Sequence, residues 1–397
     1  MAAVHAAGPG RRVLLIERTR DGGRKILISG GGRCNVLPGT LDESRYVTAS
    51  SVHSMRKILR SWPLPEQRRF FEATLGLPLV LEEESGKLFP AANRSRVVRD
   101  ALVDLARDRG VEWIGNTRIT GVRRVDQRWQ LAADTGRTFL ADAVVMATGG
   151  LSVPATGSDG FGLTCLAALG HTIHATYPAL TPLTLDPPAF ADLAGLSLDV
   201  TITASGAADA CRATGGFLFT HRGYSGPAVL DISHVPVRTR MNGTAPANVR
   251  VQWTTLNAAA WDERLAPSAQ TLAAALRGTV PARLADRLLA AAGLDGKTAL
   301  AQLPRAGRLS LVELLTRFPL PWTGDEGYKK AEVTGGGVAL DEVDPRTLES
   351  RHHPGLFLAG ELLDAFGPIG GYNFVWAWST GRLAGLGARL RTEPASG

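Results

Sequence analysis

Apolar residues in this chain follow two patterns that take turns along its length. Short unbroken runs recur: Val13-Leu14-Leu15-Ile16 ending at Glu17, Val111 to Ile114, Ala143 to Met146, and Leu356-Phe357-Leu358. Runs of that length, bounded by turn residues, predict buried parallel strands. Helical spacing fills the intervals. Ser95 to Asp108 places Val98, Leu102 and Leu105 on one face and predicts an amphipathic helix. Residues 51–61 and 63–75 predict two shorter helices parted by Pro63 and Pro65. Leu79 to Phe89 predicts a hairpin with Glu82-Glu83-Glu84-Ser85-Gly86-Lys87 at its solvated turn, and residues 117–140 alternate as a meander.

The pattern shifts at Tyr177. Pro178, Pro182, Pro187 and Pro188 mark a crossover, and strand-like segments run from about 196 to 256. Residues 261–318 are rich in Ala, Leu and Arg at helical spacing, with expected breaks near Gly293 and Gly307. Glu332 to Val338 then returns to the first pattern. The expected organisation is α/β: residues 1–176 and 331–397 form one domain, interrupted by an insertion at 177–330 that is β-rich over 177–260 and helical over 261–318.

Composition narrows the class. The chain has 397 residues, 44% hydrophobic and 20% charged, enough for a sizeable core and more than one domain. It shows no apolar run of about 18 residues and no charged-then-apolar leader, so a soluble, cytoplasmic protein is expected. Cys34, Cys165 and Cys211 are too scattered for a disulfide framework, and no Cys-x-x-Cys or Cys/His cluster suggests a metal. The net charge of +7 comes from basic residues spread without a dense block, which points away from a nucleic-acid partner and toward a small-molecule substrate.

Chemistry concentrates in four blocks. The first is Lys25-Ile26-Leu27-Ile28-Ser29-Gly30-Gly31-Gly32-Arg33-Cys34-Asn35, preceded by Gly23 and Arg24. Three glycines bare the backbone to an anion or a flat ligand, and a fixed charge and hydrogen-bonding side chains follow at once. A flexible linker is the plainer reading of Gly-Gly-Gly. The second block is the strand ending in Ala147-Thr148-Gly149-Gly150, followed by Ser158 or Asp159 as a helix cap. The third is Gly216 to Ala228, in which His221 and Ser225 stand among glycines at an expected strand-to-helix turn. Histidine is the one side-chain type in this block suited to proton transfer near neutral pH, so His221 is the candidate catalytic residue, in contact with cofactor or substrate; capping a turn is its alternative role. The fourth runs from Pro354 through Gly360-Glu361 and Asp364 to Gly370-Gly371-Tyr372-Asn373, an apolar strand, an acid, then a glycine-rich turn opening the last helix. Glu17, at the end of its strand, is placed to accept from ribose hydroxyls in a Rossmann unit.

Ser-Gly-Gly-Gly-Arg-Cys-Asn with Gly23-Arg24-Lys25 resembles the signature of the BaiN/RdsA-like family of NAD(P)/FAD-dependent oxidoreductases, and the other three blocks are similar to that family's too. The resemblance implies a Rossmann-like FAD-binding domain interrupted by the inserted domain. It implies flavin-mediated hydride transfer, with C=C reduction and an NAD(P)H donor as candidates. It assigns cofactor contacts to Glu17, Arg24, Lys25, Ser29, Gly30, Gly31, Gly32, Arg33, Cys34, Asn35, Ala147, Thr148, Gly149, Gly150, Gly360, Glu361, Asp364, Gly370, Gly371, Tyr372 and Asn373. One departure stands out: the strand and Gly-x-Gly-x-x-Gly turn that open such a domain are expected ahead of residue 1. A start upstream is the expectation. The alternatives are a truncated relic, or a flavin-binding protein that senses redox state without catalysis.

Overall fold

The computed structural model describes residues 1–207 and 209–391. The chain separates into two compact units, Met1–Pro178 with Glu332–Gly397, and Ala179–Ala331.

In the first unit, helix α1 (Ala2–Ala6) leads to strand β1 (Leu14–Ile16) and helix α2 (Arg24–Ile28). Strand β2 (Leu37–Pro38) precedes α3 (Val52–Arg60), whose first turn is capped by the Ser51 hydroxyl accepting from Ser54 N. Helix α4 (Leu64–Arg69) starts directly behind Pro63, where the missing N–H costs nothing, and loosens into a π-turn at Phe70–Thr74. Strands β3 (Leu79–Glu82) and β4 (Lys87–Pro90) join β2 in an antiparallel sheet of order β2-β4-β3. The amphipathic helix α5 (Ser95–Asp108) buries Val98 and Leu102 and delivers the chain to β5 (Glu112–Ile114). That strand pairs in parallel with β1, Leu15 opposite Trp113. A meander follows, β6 (Ile119–Val125), β7 (Arg128–Ala133) and β8 (Thr138–Ala141), then β9 (Val144–Met146), α6 (Phe161–Ala168) and β10 (Ile173–Ala179).

The inserted unit is built on a seven-stranded sheet. Its strands are β11 (Leu183–Thr184), β12 (Ser197–Ser205), β13 (Ala210–Thr220), β14 (Gly223–Ser225), β15 (Asn248–Gln252), β16 (Phe318–Pro319) and β17 (Gly324–Asp325), in the order β16-β15-β12-β13-β14-β11-β17. Six helices accompany it: α7 (Pro227–Ile232), α8 (His234–Met241), α9 (Ala258–Arg264), α10 (Leu272–Leu276), α11 (Ala282–Ala291) and α12 (Arg305–Arg317). One sheet face buries Phe217, Phe219, Tyr224 and Trp253 as a cluster of ring contacts 4.9–6.0 Å apart. The expected break near Gly307 comes at Leu303-Pro304, directly before α12 begins at Arg305. Gly307 itself lies in the first turn of α12, where a Cβ would lie 3.0 Å from Leu294 Cδ2, so the bare Cα lets Leu294 pack close.

The chain then returns to the first unit with β18 (Val333–Val338) beside β10, β19 (Leu356–Leu358) parallel to β9, and α13 (Tyr372–Arg391). The parallel strands of this unit therefore stand as two pairs, β5-β1 and β9-β19. Helix α13 is buried along most of its length, with Val375, Trp376, Trp378, Leu383 and Ala384 in the core. No helix among the described residues is long and apolar enough to cross a membrane.

Candidate functional site

The glycine block forms a tight, left-handed segment of backbone. Helix α2 starts after Gly23 at φ +64° and ends at Ser29, whose hydroxyl donates to Ile26 O at 2.8 Å. Gly30, Gly31 and Gly32 then take φ of +55°, +66° and +85°, a region that side chains with a Cβ disfavour. Gly30 is hemmed in, since a Cβ would sit 3.2 Å from Asn35 N. Gly31 faces open space, with nothing within 4 Å of that position. Arg33 pairs with Glu82 at 2.9 Å and lies over the Phe89 ring. Cys34 is fully buried, and burial pushes its thiol up to about 11.

Three of the expected residues meet in one network. Lys25 Nζ donates to Glu361 Oε2 and to Ser152 Oγ, both at 2.5 Å. Glu361 Oε1 accepts from Ser152 Oγ at 2.5 Å and from Thr334 N at 2.9 Å. Thr334 Oγ1 in turn accepts from Leu151 N and Ser152 N, and it occupies the place a Cβ on Gly150 would take. The bare Cα of Gly150 thus lets the end of β9 close onto β18. Ser152 and Thr334 were not expected. Their only sequence signal is adjacency to Gly149-Gly150 and to Gly335-Gly336-Gly337.

Other residues are committed to the protein itself. Asp364 is buried, and its Oδ2 accepts from Ala49 N, Ser50 N and the hydroxyls of Thr48 and Ser50. Asn373 closes its own turn against Gly367 N and O at 2.9 Å. Tyr372 stacks beside Tyr46, whose hydroxyl donates to Tyr372 O at 2.7 Å. Glu17 Oε1 accepts from Thr19 N and Thr19 Oγ1. Arg24 reaches only Asp21, at 3.5 Å. Of the two expected caps of α6, Asp159 accepts from Phe161 N on Oδ1 at 3.1 Å and receives Arg18 and Arg118 on Oδ2, while Gly160 holds the N-cap position.

The glycines of the last block pack on β2 and β4. Gly371 has φ +100°, and a Cβ would meet Leu37 C at 2.6 Å and Pro38 N at 2.7 Å. Gly370, at φ +103°, lies against the Lys87 stem, 3.3 Å from Cε to the Cβ position. Ala147 and Thr148 are exposed where β9 ends, and Gly360 faces open space at φ +75°. His221 belongs to the inserted unit. It occupies, with Arg222, the exposed turn of the β13–β14 hairpin, not the strand-to-helix turn expected, because Thr220 pairs with Gly223.

A family model described as "HI0933-like protein Rossmann domain" matches residues 1–387. The chain belongs to this family. HI0933-like chains are FAD-dependent oxidoreductases, and the fold is a Rossmann-type FAD-binding domain carrying an inserted domain. One relative is the ribosomal RNA dihydrouridine synthase of Escherichia coli, 35% identical, with 94% of this chain and 91% of that one aligned. Another is the 3-dehydro-bile acid delta(4,6)-reductase of Clostridium scindens, 32% identical over 98% of this chain and 96% of that one. Among solved structures, the 3-ketosteroid delta1-dehydrogenase of Sterolibacterium denitrificans superposes with a TM-score of 0.50 at 11% identity, over 97% and 96% of the two chains, a likeness of fold alone.

The residues of the first unit fit an FAD. Side-chain-free backbone at Gly31 and Gly360, and exposed main chain at Ala147 and Thr148, are what a flat ring system needs for close approach. No group of His, Cys, Asp and Glu among the described residues has a metal-binding arrangement.

Proposed function

We propose that this HI0933-like chain is a reductase of a carbon–carbon double bond conjugated to a carbonyl, with NAD(P)H as electron donor. The observation that carries the reading is chemical agreement between two relatives with different substrates. Dihydrouridine arises when the ring double bond of uridine, conjugated to a carbonyl, is saturated; a delta(4,6)-reductase saturates a double bond in a keto ring system. The reaction class is the shared element.

FAD supplies the hydride chemistry when bound. Gly30 to Gly32, Ala147 to Gly150 and Gly360 would hold it through main chain, Gly370 and Gly371 would bring the head of α13 to it, and Glu361 and Lys25 would fix the strand ends that present them. Lys25 acts here by holding the Glu361 carboxylate in place through a direct ion pair. His221 remains a candidate for contact with substrate, on the strength of its exposure in the β13–β14 turn.

For the substrate we favour a uridine in RNA over a steroid-like ring. The net charge of +7 suits a polyanion, and the relative that acts on ribosomal RNA is the more similar of the two. This departs from the sequence-based expectation of no nucleic-acid partner. That expectation weighed only the lack of a dense basic block, and base modification needs a site for one flipped nucleotide more than a basic stripe.

The test is anaerobic. Protein loaded with FAD is reduced by NADPH or NADH while the visible flavin band is followed, then mixed with ribosomal RNA fragments or with an unsaturated keto-steroid. Reoxidation by RNA, with a mass gain of two hydrogens on one uridine, is the expected result. Reoxidation by the steroid alone would transfer the reading to that substrate. A flavin that no reduced nicotinamide bleaches would remove the donor assignment.

A further inference from the structure

Among the described residues, Lys87 carries a charge beside the expected cofactor contacts that no hydrogen bond or ion pair engages. It opens β4, opposite Pro38 of β2 and Glu82 of β3. Its neighbour in space is the head of α13. Gly371 rests its backbone on Leu37–Pro38, and Gly370 rests on the methylenes of Lys87 itself. Any other residue at 371 would force β2 away, and a Cβ at 370 would press the lysine stem aside. Both glycines have φ near +100°, so the close approach and the backbone conformation select glycine together.

Among the described residues, the Lys87 side chain makes no hydrogen bond and no ion pair. Lys25, the other lysine of this region, is fully used by Glu361 and Ser152. The carboxylates in electrostatic reach of Lys87 are Glu332, shared with Lys25, and Glu82, shared with Arg33 and already bonded to Ser85. Helix α13 has no acidic residue in its first turn. An ammonium beside the positive end of a 20-residue helix is therefore held there without a negative group of its own.

We propose that Lys87 is a cofactor-contacting residue whose ammonium offsets negative charge on the ring of the bound flavin at the head of α13. The inference rests on the FAD reading given above and deepens it. A diphosphate contact would draw on the same cation, and the two sources make different predictions. A ring contact matters when the ring gains negative charge. A diphosphate contact matters equally whatever the state of the ring.

Sulfite separates them, because it adds to the oxidised ring and leaves negative charge on it. Wild type, Lys87→Met and Lys87→Arg would be loaded with FAD and titrated with sulfite at the visible band, and FAD affinity would be measured by fluorescence. The expected result for Lys87→Met is oxidised FAD affinity close to wild type with sulfite affinity lowered about tenfold, the scale of one partly buried charge contact, and restored by Lys87→Arg. Equal loss of FAD affinity and unchanged sulfite affinity would overturn the assignment in favour of the diphosphate. No change in either would also overturn it. Wild-type protein that takes up no FAD would instead defeat the flavin reading itself, and the inference with it.

Discussion

At the residue scale, the glycine block separates into residues that shape backbone and residues that could react. Cys34 lies in the most family-specific stretch of the chain, yet it has the surroundings of a core residue. It is fully buried at φ +63°, and its N–H donates to Ser29 O at 3.0 Å. With burial holding the thiol up to about 11, the thiolate that reacts with disulfides and alkylating agents is absent at neutral pH. We expect Cys34 to resist a thiol reagent at pH about 8 until the protein unfolds, whereas the half-buried Cys211 reacts in the native state. Peptide mapping after timed labelling checks this, and rapid native labelling of Cys34 would contradict its placement. The motif made the position recognisable. Only packing showed that it is closed to solvent.

At the element scale, the head of α13 is defined by what it rests on. Gly371→Ala places a Cβ 2.6 Å from the Leu37 carbonyl carbon in a backbone conformation that alanine disfavours. Strain of this kind costs about 1–3 kcal/mol before the displacement of β2 is counted. Gly31→Ala carries a similar φ penalty but meets nothing, so it should cost about 1 kcal/mol of stability. Chemical denaturation of the two variants should therefore rank Gly371→Ala well below Gly31→Ala, and equal midpoints would show that β2 yields freely. Helix and strand positions were largely legible: Ser95–Asp108 was read to the residue because Val98 and Leu102 mark its buried face. One alternative failed for a physical reason: His221 could have capped a strand-to-helix turn, but the pairing of Thr220 with Gly223 is a contact between opposed segments, which local propensity does not contain.

At the scale of the whole molecule, stability should depend on pH in part through a histidine of the inserted unit. His234 in the inserted unit is buried, and burial lowers it to about 4, with Nδ1 on Asp231 O and the charges of Asp209 and Arg238 nearby. The unfolded chain titrates near 6.5, so between these values the unfolded state binds more protons than the native one. The His234 contribution to native stability is thus complete above about pH 6.5 and is lost as the pH falls toward 4, by about 3 kcal/mol. His234→Gln should flatten that slope in hydrogen exchange of α8 amides, and an unchanged slope would place the titrating group elsewhere.

What the amino-acid order determined by itself is what short-range physics controls. Apolar runs specified strands, the apolar stripe specified α5, and consecutive glycines specified where backbone could turn left-handed and lie bare. What only the tertiary structure decided is which charges are spoken for. Asp364 and Asn373 read as cofactor ligands, but their hydrogen bonds go to Thr48–Ser50 and to Gly367, while Lys87 read as a solvated turn residue and stands uncommitted against Gly370. Lys25 and Glu361 are 336 positions apart and meet at 2.5 Å. A buried charge must find a partner somewhere, and that partner is chosen by the fold as a whole, not by the residues on either side of it.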